Sequence, residues 1–295
     1  MSTFEHYNYL TMNLWDKNTE ICFFEKEIEK SINPNKLFYK IHDDYFAYFP
    51  KNIQAQGQTM QSRNSLIGKF TEKWVQNLLN PIAKNLGLYA VNNVVCPEIG
   101  MSNMSDADLV FSTTNTRQQK AENIKIIFEI KMSIVNNYQY LDNKIKFIGD
   151  YKSHKGVPSI LRSDSVLKAI GKSLNVRISG DSSRKIPIII LGNSPVTKNY
   201  THKIDFLKKS GVIQSFISLY PNPTDDYIKN SPNKGFQTFF DYESLKEFLS
   251  DIIYSDIYFF SSMIDKKKLA DIISVSSKEK DKNKISDKFI SLLGS

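Results

Sequence analysis

The sequence predicts an α/β protein: a mixed central β-sheet flanked by helices on both faces, with additions at both ends. Two observations carry this. From Ser65 to Lys209 the patterns run helix, strand, strand, strand, helix, strand, helix. The strand candidates within that span are short apolar runs, as expected of strands covered on both faces.

Taken in order, Glu20 to Ile32 reads as a helix, and Leu37 to Pro50 alternates and breaks at Asp43-Asp44, the pattern of a hairpin. Ile53 to Arg63 is polar, Gln-rich and aperiodic, a linker or loop. Residues 1–61 thus form an N-terminal helix and hairpin extension. From Ser65 to Leu86 one broad apolar face (Leu66, Ile67, Phe70, Trp74, Val75, Leu78, Leu79, Ile82) predicts an amphipathic helix. Pro81 should kink it or split off its last turn. Strands are expected at Tyr89–Val95, Asp108–Ser112, Lys125–Ile134 and Ile186–Leu191, with a helix at Ser165–Val176 whose apolar side is Val166, Leu167, Ile170 and Leu174. A helix at Asp205–Lys209, core residues Phe216, Leu219 and Tyr220, a strand at Gly235–Phe240 and a helix at Tyr242–Ile253 complete a core spanning 62–262. The end, 263–295, reads as a basic helical tail. In it, Ser276 to Lys288 is a solvated linker before a short helix at Phe289–Leu293.

The chemistry concentrates in the Lys125–Ile134 run. Side chains two apart on a strand share a face, so Glu129 and Lys131 project together while Ile126, Phe128, Ile130 and Met132 project into a core. A carboxylate and an ammonium on a buried strand are costly unless they serve each other or a metal. With Asp108 from the neighbouring run beside them, the set is two carboxylates and a lysine. Such a set suits a hard divalent cation and phosphodiester hydrolysis.

These residues resemble the PD-(D/E)XK nuclease superfamily, type II restriction endonucleases in particular. The match is Asp108 opening one strand and Glu129-Ile130-Lys131 in the next, with Ala107 where the family's proline stands. It covers roughly 65–191 and implies a restriction-endonuclease-like core. It also implies Mg²⁺ held by Asp108, Glu129 and the backbone carbonyl of Ile130, with Lys131 orienting or deprotonating the attacking water. In such proteins a preceding helix often supplies a Glu. Glu72 matches as a fourth catalytic residue, or is a surface Glu paired with Lys69 or Lys73. Asp106 competes with Asp108, because both face the same way in an extended strand; Asp108 is preferred as the residue directly before the strand's hydrophobic anchors.

A net charge of +8 favours a polyanionic partner. The segment after the Glu-x-Lys strand supplies candidate DNA contacts: Lys152, His154 and Lys155 in a basic loop, Arg162, Ser163 and Asp164 at the start of the next helix, and Lys168 and Lys172 along it. Ser163 and Asp164 are also ordinary N-caps. The Asn193–Tyr200 loop is a second recognition loop or a plain connection. Cys22 and Cys96 stand in no paired metal motif, no apolar run is long enough to span a bilayer, and Met1–Leu14 has no signal-peptide character. A cytoplasmic protein is expected, with no membrane partner.

The expected activity is Mg²⁺-dependent hydrolysis of double-stranded DNA by a restriction enzyme. A homodimer and a separate cognate DNA methyltransferase would accompany it. The alternatives are a repair or recombination nuclease of the same fold and a non-enzymatic DNA-binding module. No Gly-x-x-x-x-Gly-Lys motif is present, so any motor would be a separate chain.

Overall fold

The computed structural model describes residues 14–30, 32–53, 60–220, 228–260 and 264–293. The chain divides into two compact units, Met1–Ile257 and Tyr258–Ser295.

In the first unit the elements run α1 (Lys17–Glu29), β1 (Tyr39–Ile41), β2 (Asp44–Phe46), α2 (Gln61–Asn85), β3 (Tyr89–Val94), β4 (Ala107–Ser112), β5 (Ile124–Ile130), β6 (Asn137–Leu141), β7 (Lys144–Gly149), α3 (Ser163–Ile178), β8 (Ile188–Gly192), α4 (Lys198–Lys209), β9 (Ser215–Ser218), β10 (Phe236–Thr238) and α5 (Tyr242–Tyr254). The mixed sheet has six strands in the order β10-β9-β8-β5-β4-β3. The β3, β4 and β5 strands pair antiparallel, and β5, β8, β9 and β10 pair parallel.

Alternation along these strands builds two cores. Leu109, Phe111, Ile126, Phe128, Ile130, Ile189 and Leu191 face one side, against Phe23 and Phe24 of α1, Val75, Leu78 and Leu79 of α2, and Leu245 and Leu249 of α5. Val110, Ile127, Ile188, Ile190 and Phe216 face the other, against Val166, Ala169 and Val176 of α3 and Ile204 of α4. Helices therefore cover both faces, as the patterning requires.

The N-terminal segment is built into this unit. Its hairpin joins a second, antiparallel sheet in the order β1-β2-β6-β7, and Trp15, Leu37, Phe38 and Ala47 share the first core. The β6–β7 hairpin was not expected from the sequence. It turns on Asp142 and Asn143, with φ of 50° and 58°, the left-handed pair of a two-residue turn.

Other expectations need correction. Helix α2 runs on through Pro81 to Asn85, so its last turn is not split off; Leu78, Leu79, Ile82 and Ala83 around the proline are buried and hold that turn to the core. Strand β5 ends at Ile130 instead of Ile134. On α3, Leu167 and Leu174 are exposed; the buried line is Val166, Ala169, Ser173 and Val176. The Asn193–Tyr200 stretch is loop only to Thr197, and α4 begins at Lys198. Of the Ile53–Arg63 stretch, 54–59 lie outside the described residues, and its end is already helical.

The second unit holds α6 (Lys266–Ser276) and α7 (Lys282–Leu293). The supposed linker at Ser276–Lys288 is thus half of an α-hairpin. Asp265 caps α6 by accepting from the N–H groups of Lys267 and Lys268. Among the described residues no helix is long and apolar enough to cross a membrane.

Candidate active site

The β4 and β5 strands place Asp108 and Glu129 on the α3 side of the sheet, at neighbouring positions near the rim. Asp108 Oδ2 accepts from the Ile130 backbone N–H at 2.7 Å, which fixes its carboxylate against the next strand. The Lys131 backbone N–H extends the parallel ladder by one residue, donating to the Leu191 carbonyl at 2.7 Å. The Lys131 ammonium then contacts Glu129 Oε1 at 2.5 Å, the Ile130 carbonyl at 3.2 Å and Asp108 Oδ2 at 3.7 Å. A fourth group comes from α3: Lys172 Nζ lies 2.6 Å from Glu129 Oε2 and 3.1 Å from Asp108 Oδ1. The Glu129 side chain is only 6 % exposed, whereas those of Lys131 and Lys172 are 22 % and 25 % exposed.

Burial and the Asp108 charge push the Glu129 carboxyl above its ordinary pKa; Lys131 and Lys172 pull the other way. Burial alone would lower Lys172, but Asp108 and Glu129 outweigh it and hold the ammonium charged. Glu72 is half-buried on α2. Its pKa is raised by burial and by Asp108 and Asp106, so it borders the cluster, and its carbonyl accepts from Asn92 Nδ2 of β3 at 3.3 Å. Lys73 pairs with Gln76 at 2.9 Å. Asp106 pairs with Arg117, 3.5 Å away, whereas Asp108 pairs with Lys131 and Lys172.

Three oxygens from Asp108, Glu129 and Ile130 converge on one cationic nitrogen. They are all hard donors, the chemistry of a Mg²⁺ site, so the residues fit that ion. Among the described residues no group of three or more His, Cys, Asp and Glu side chains forms such a site. An ion on Asp108 and Glu129 would draw its third donor from the Ile130 backbone carbonyl, which already meets the Lys131 ammonium at 3.2 Å.

Beyond Lys131 the backbone leaves the sheet into a polar clasp. Asn193, at the end of β8, receives the Ser133 N–H on Oδ1 at 3.0 Å and donates Nδ2 to the Ser133 carbonyl at 2.7 Å, replacing a strand partner with a side chain. Ser159 Oγ donates to the Lys131 carbonyl at 2.5 Å and accepts the Asn193 N–H at 3.0 Å. Ser159 sits at φ 52°, an uncommon backbone state for a residue other than glycine, retained where surrounding bonds over-determine it.

The candidate DNA contacts divide. Lys152, Lys155, Arg162, Ser163 and Lys168 are exposed. Arg162 and Lys168 both pair with Asp164, Lys168 at 3.8 Å, and such surface pairs are worth about 0–1 kcal/mol, little enough to surrender to a phosphate. Asp164 is taken up in those pairs. Neither Ser163 nor Asp164 caps α3. The N-cap falls on Arg162, whose side chain makes no cap, because the 3-10 turn Ser159–Leu161 runs straight into the helix. Lys172 faces the carboxylates.

His154 is not a surface group. It is 2 % exposed, stacked on Tyr48 at 4.2 Å, with Nε2 2.9 Å from the Val135 carbonyl. Burial lowers its pKa below 6.5. The unfolded chain therefore binds more protons here, so this contribution to stability is complete above about pH 6.5 and is lost as pH falls toward the folded-state pKa. Urea unfolding at about pH 7.5 and about pH 5 should show a smaller drop for His154→Gln than for the native chain. An equal drop would assign the titration elsewhere.

Comparison of the chain with protein-family models, with curated proteins and with solved structures finds no match.

Proposed function

We propose that this chain is a Mg²⁺-dependent endodeoxyribonuclease with a restriction-endonuclease-like core, cutting double-stranded DNA as a type II restriction enzyme. The observation that carries the reading is the convergence of Asp108, Glu129 and the Ile130 carbonyl on the Lys131 ammonium. The order α2, antiparallel β3–β4–β5, α3, parallel β8 supports it, since that arrangement brings Asp108, Glu129 and Lys172 together on one face of the sheet.

Asp108, Glu129 and the Ile130 carbonyl would hold the ion. When bound, Mg²⁺ supplies a water of lowered pKa and neutralises charge on the phosphate. Lys131 holds the attacking water and balances the charge that develops on phosphorus. Glu72 borders the same space from α2. Lys152, Lys155, Arg162, Ser163 and Lys168 supply backbone contacts on the DNA. Symmetric duplex sites call for a homodimer, and the matching methyltransferase is a separate chain.

Incubation of the purified protein with plasmid DNA and Mg²⁺, followed by sequencing of the ends, tests this. Discrete fragments with a common end sequence are expected. A smear would remove site specificity, and intact plasmid would remove the nuclease assignment.

A further inference from the structure

Each carboxylate of the cluster is shared between two lysines that approach from different elements. Lys131 takes Glu129 Oε1 and Asp108 Oδ2, while Lys172 takes Glu129 Oε2 and Asp108 Oδ1. The two oxygens of Asp108 are not equivalent. Oδ2 accepts the Ile130 backbone N–H, a bond fixed by the sheet, and lies 3.7 Å from Lys131, whereas Oδ1 meets the Lys172 side chain. Lys172 occupies that oxygen at 3.1 Å and closes the bridge to Glu129 at 2.6 Å. Two ammonium groups already face the two carboxylates, so an arriving divalent ion must compete with a resident cation for them.

Lys172 also has somewhere to go. It is carried by α3 beside the buried Ala169 and Ser173, its side chain is a quarter exposed, and a lysine stem turns freely about four carbons. Lys131 is tethered at both backbone ends, by the Leu191 carbonyl and by Ser159.

We propose that Lys172 is a built-in stand-in for the metal. Its ammonium bridges Asp108 and Glu129 until a divalent cation enters, and is then released to the phosphate of the bound DNA. This rests on the nuclease reading but is measured separately. It makes the free enzyme a weak metal binder by design and couples metal entry to the appearance of a free cation beside the substrate.

Calorimetric titration with Ca²⁺ alone, without DNA, tests it. Lys172→Met should bind Ca²⁺ about tenfold more tightly than the native chain, because a competing charge about 4 Å or less away is gone. Lys172→Arg keeps the charge and should keep the native affinity. Asp108→Asn added to Lys172→Met should abolish the gain. Equal Ca²⁺ affinity in Lys172→Met and the native chain, or a gain that survives Asp108→Asn, overturns the proposal. A native chain that cuts plasmid while Lys172→Met shows no gain sinks the stand-in role alone. A gain in Lys172→Met with no cleavage by the native chain sinks the nuclease reading alone.

Discussion

Lys131→Met is expected to leave a folded protein that binds DNA and cuts it slower by about 10²–10³-fold or more, the loss typical of removing one electrostatic stabiliser from a reaction site. The fold should survive, because Met fills most of the volume and Glu129 keeps Lys172 at 2.6 Å. Binding should survive because the proposed phosphate contacts are the exposed Lys152, Lys155, Arg162 and Lys168, not Lys131. The measurement is single-turnover plasmid cleavage beside a gel-shift titration in Ca²⁺. Undiminished cleavage would refute the assignment of Lys131. The same assay compares two aspartates. Asp108→Asn removes a carboxylate fixed by the Ile130 N–H and touched by two ammonium groups, and should cost as much as Lys131→Met. Asp106→Asn removes a partner of Arg117 at 3.5 Å and leaves both lysine contacts of Asp108 in place, so it should cost far less. Equal losses would return Asp106 to the site.

Why the cluster could be read from sequence, and its fourth member could not, follows from how each residue is held. The period of two on β5 separates Glu129 and Lys131 from Ile126, Phe128 and Ile130, and the strand preserves that separation. The register of β4 against β5 pairs Leu109 with Phe128, which sets Asp108 beside Glu129, the juxtaposition expected of neighbouring runs. Lys172 stands on a helix whose basic residues all look alike in the sequence. Its direction depends on which side of α3 meets the sheet, and that side turned out to be Val166, Ala169, Ser173 and Val176, with Leu167 and Leu174 left outside. Ala169 and Ser173 are small and carry little hydrophobic signal, so the larger leucines dominated the reading. The β6–β7 hairpin did carry a signal, Asp142-Asn143 between alternating Tyr138, Tyr140, Ile145 and Phe147, but polar residues on both strands masked it. The clasp of Ser133, Ser159 and Asn193 joins positions far apart in the chain and leaves no local pattern.

Glu20→Ala is expected to destabilise the fold by about 3–5 kcal/mol, the cost of leaving buried partners of a carboxylate unpaired. Glu20 is fully buried on α1 and receives five donors: Trp15 Nε1 at 2.9 Å, the Val135 N–H at 2.6 Å, the Asn136 N–H at 3.1 Å, Asn136 Nδ2 at 2.8 Å and the Tyr138 hydroxyl at 2.8 Å. Three of those residues lie just past the Lys131–Ser133 segment, so this carboxyl fastens the N-terminal helix to the chain leaving the candidate site. Burial pushes its pKa up while the donors pull it down. Glu20→Gln separates the two tendencies. A carboxylate accepts from all five donors, whereas the amide turns an NH₂ toward some of them and forces donor against donor. Urea unfolding should therefore place Glu20→Gln well below the native chain, by about 2 kcal/mol. A glutamine variant as stable as the native chain would mean that the group is a neutral acid in the folded protein, because the amide mimics that form. A stable Glu20→Ala would mean that water reaches the five donors. If the fastening matters to the site, Glu20→Gln should also weaken Ca²⁺ binding under conditions where it remains folded, since the backbone carrying the Lys131 and Ile130 carbonyls runs directly into the segment that Glu20 holds.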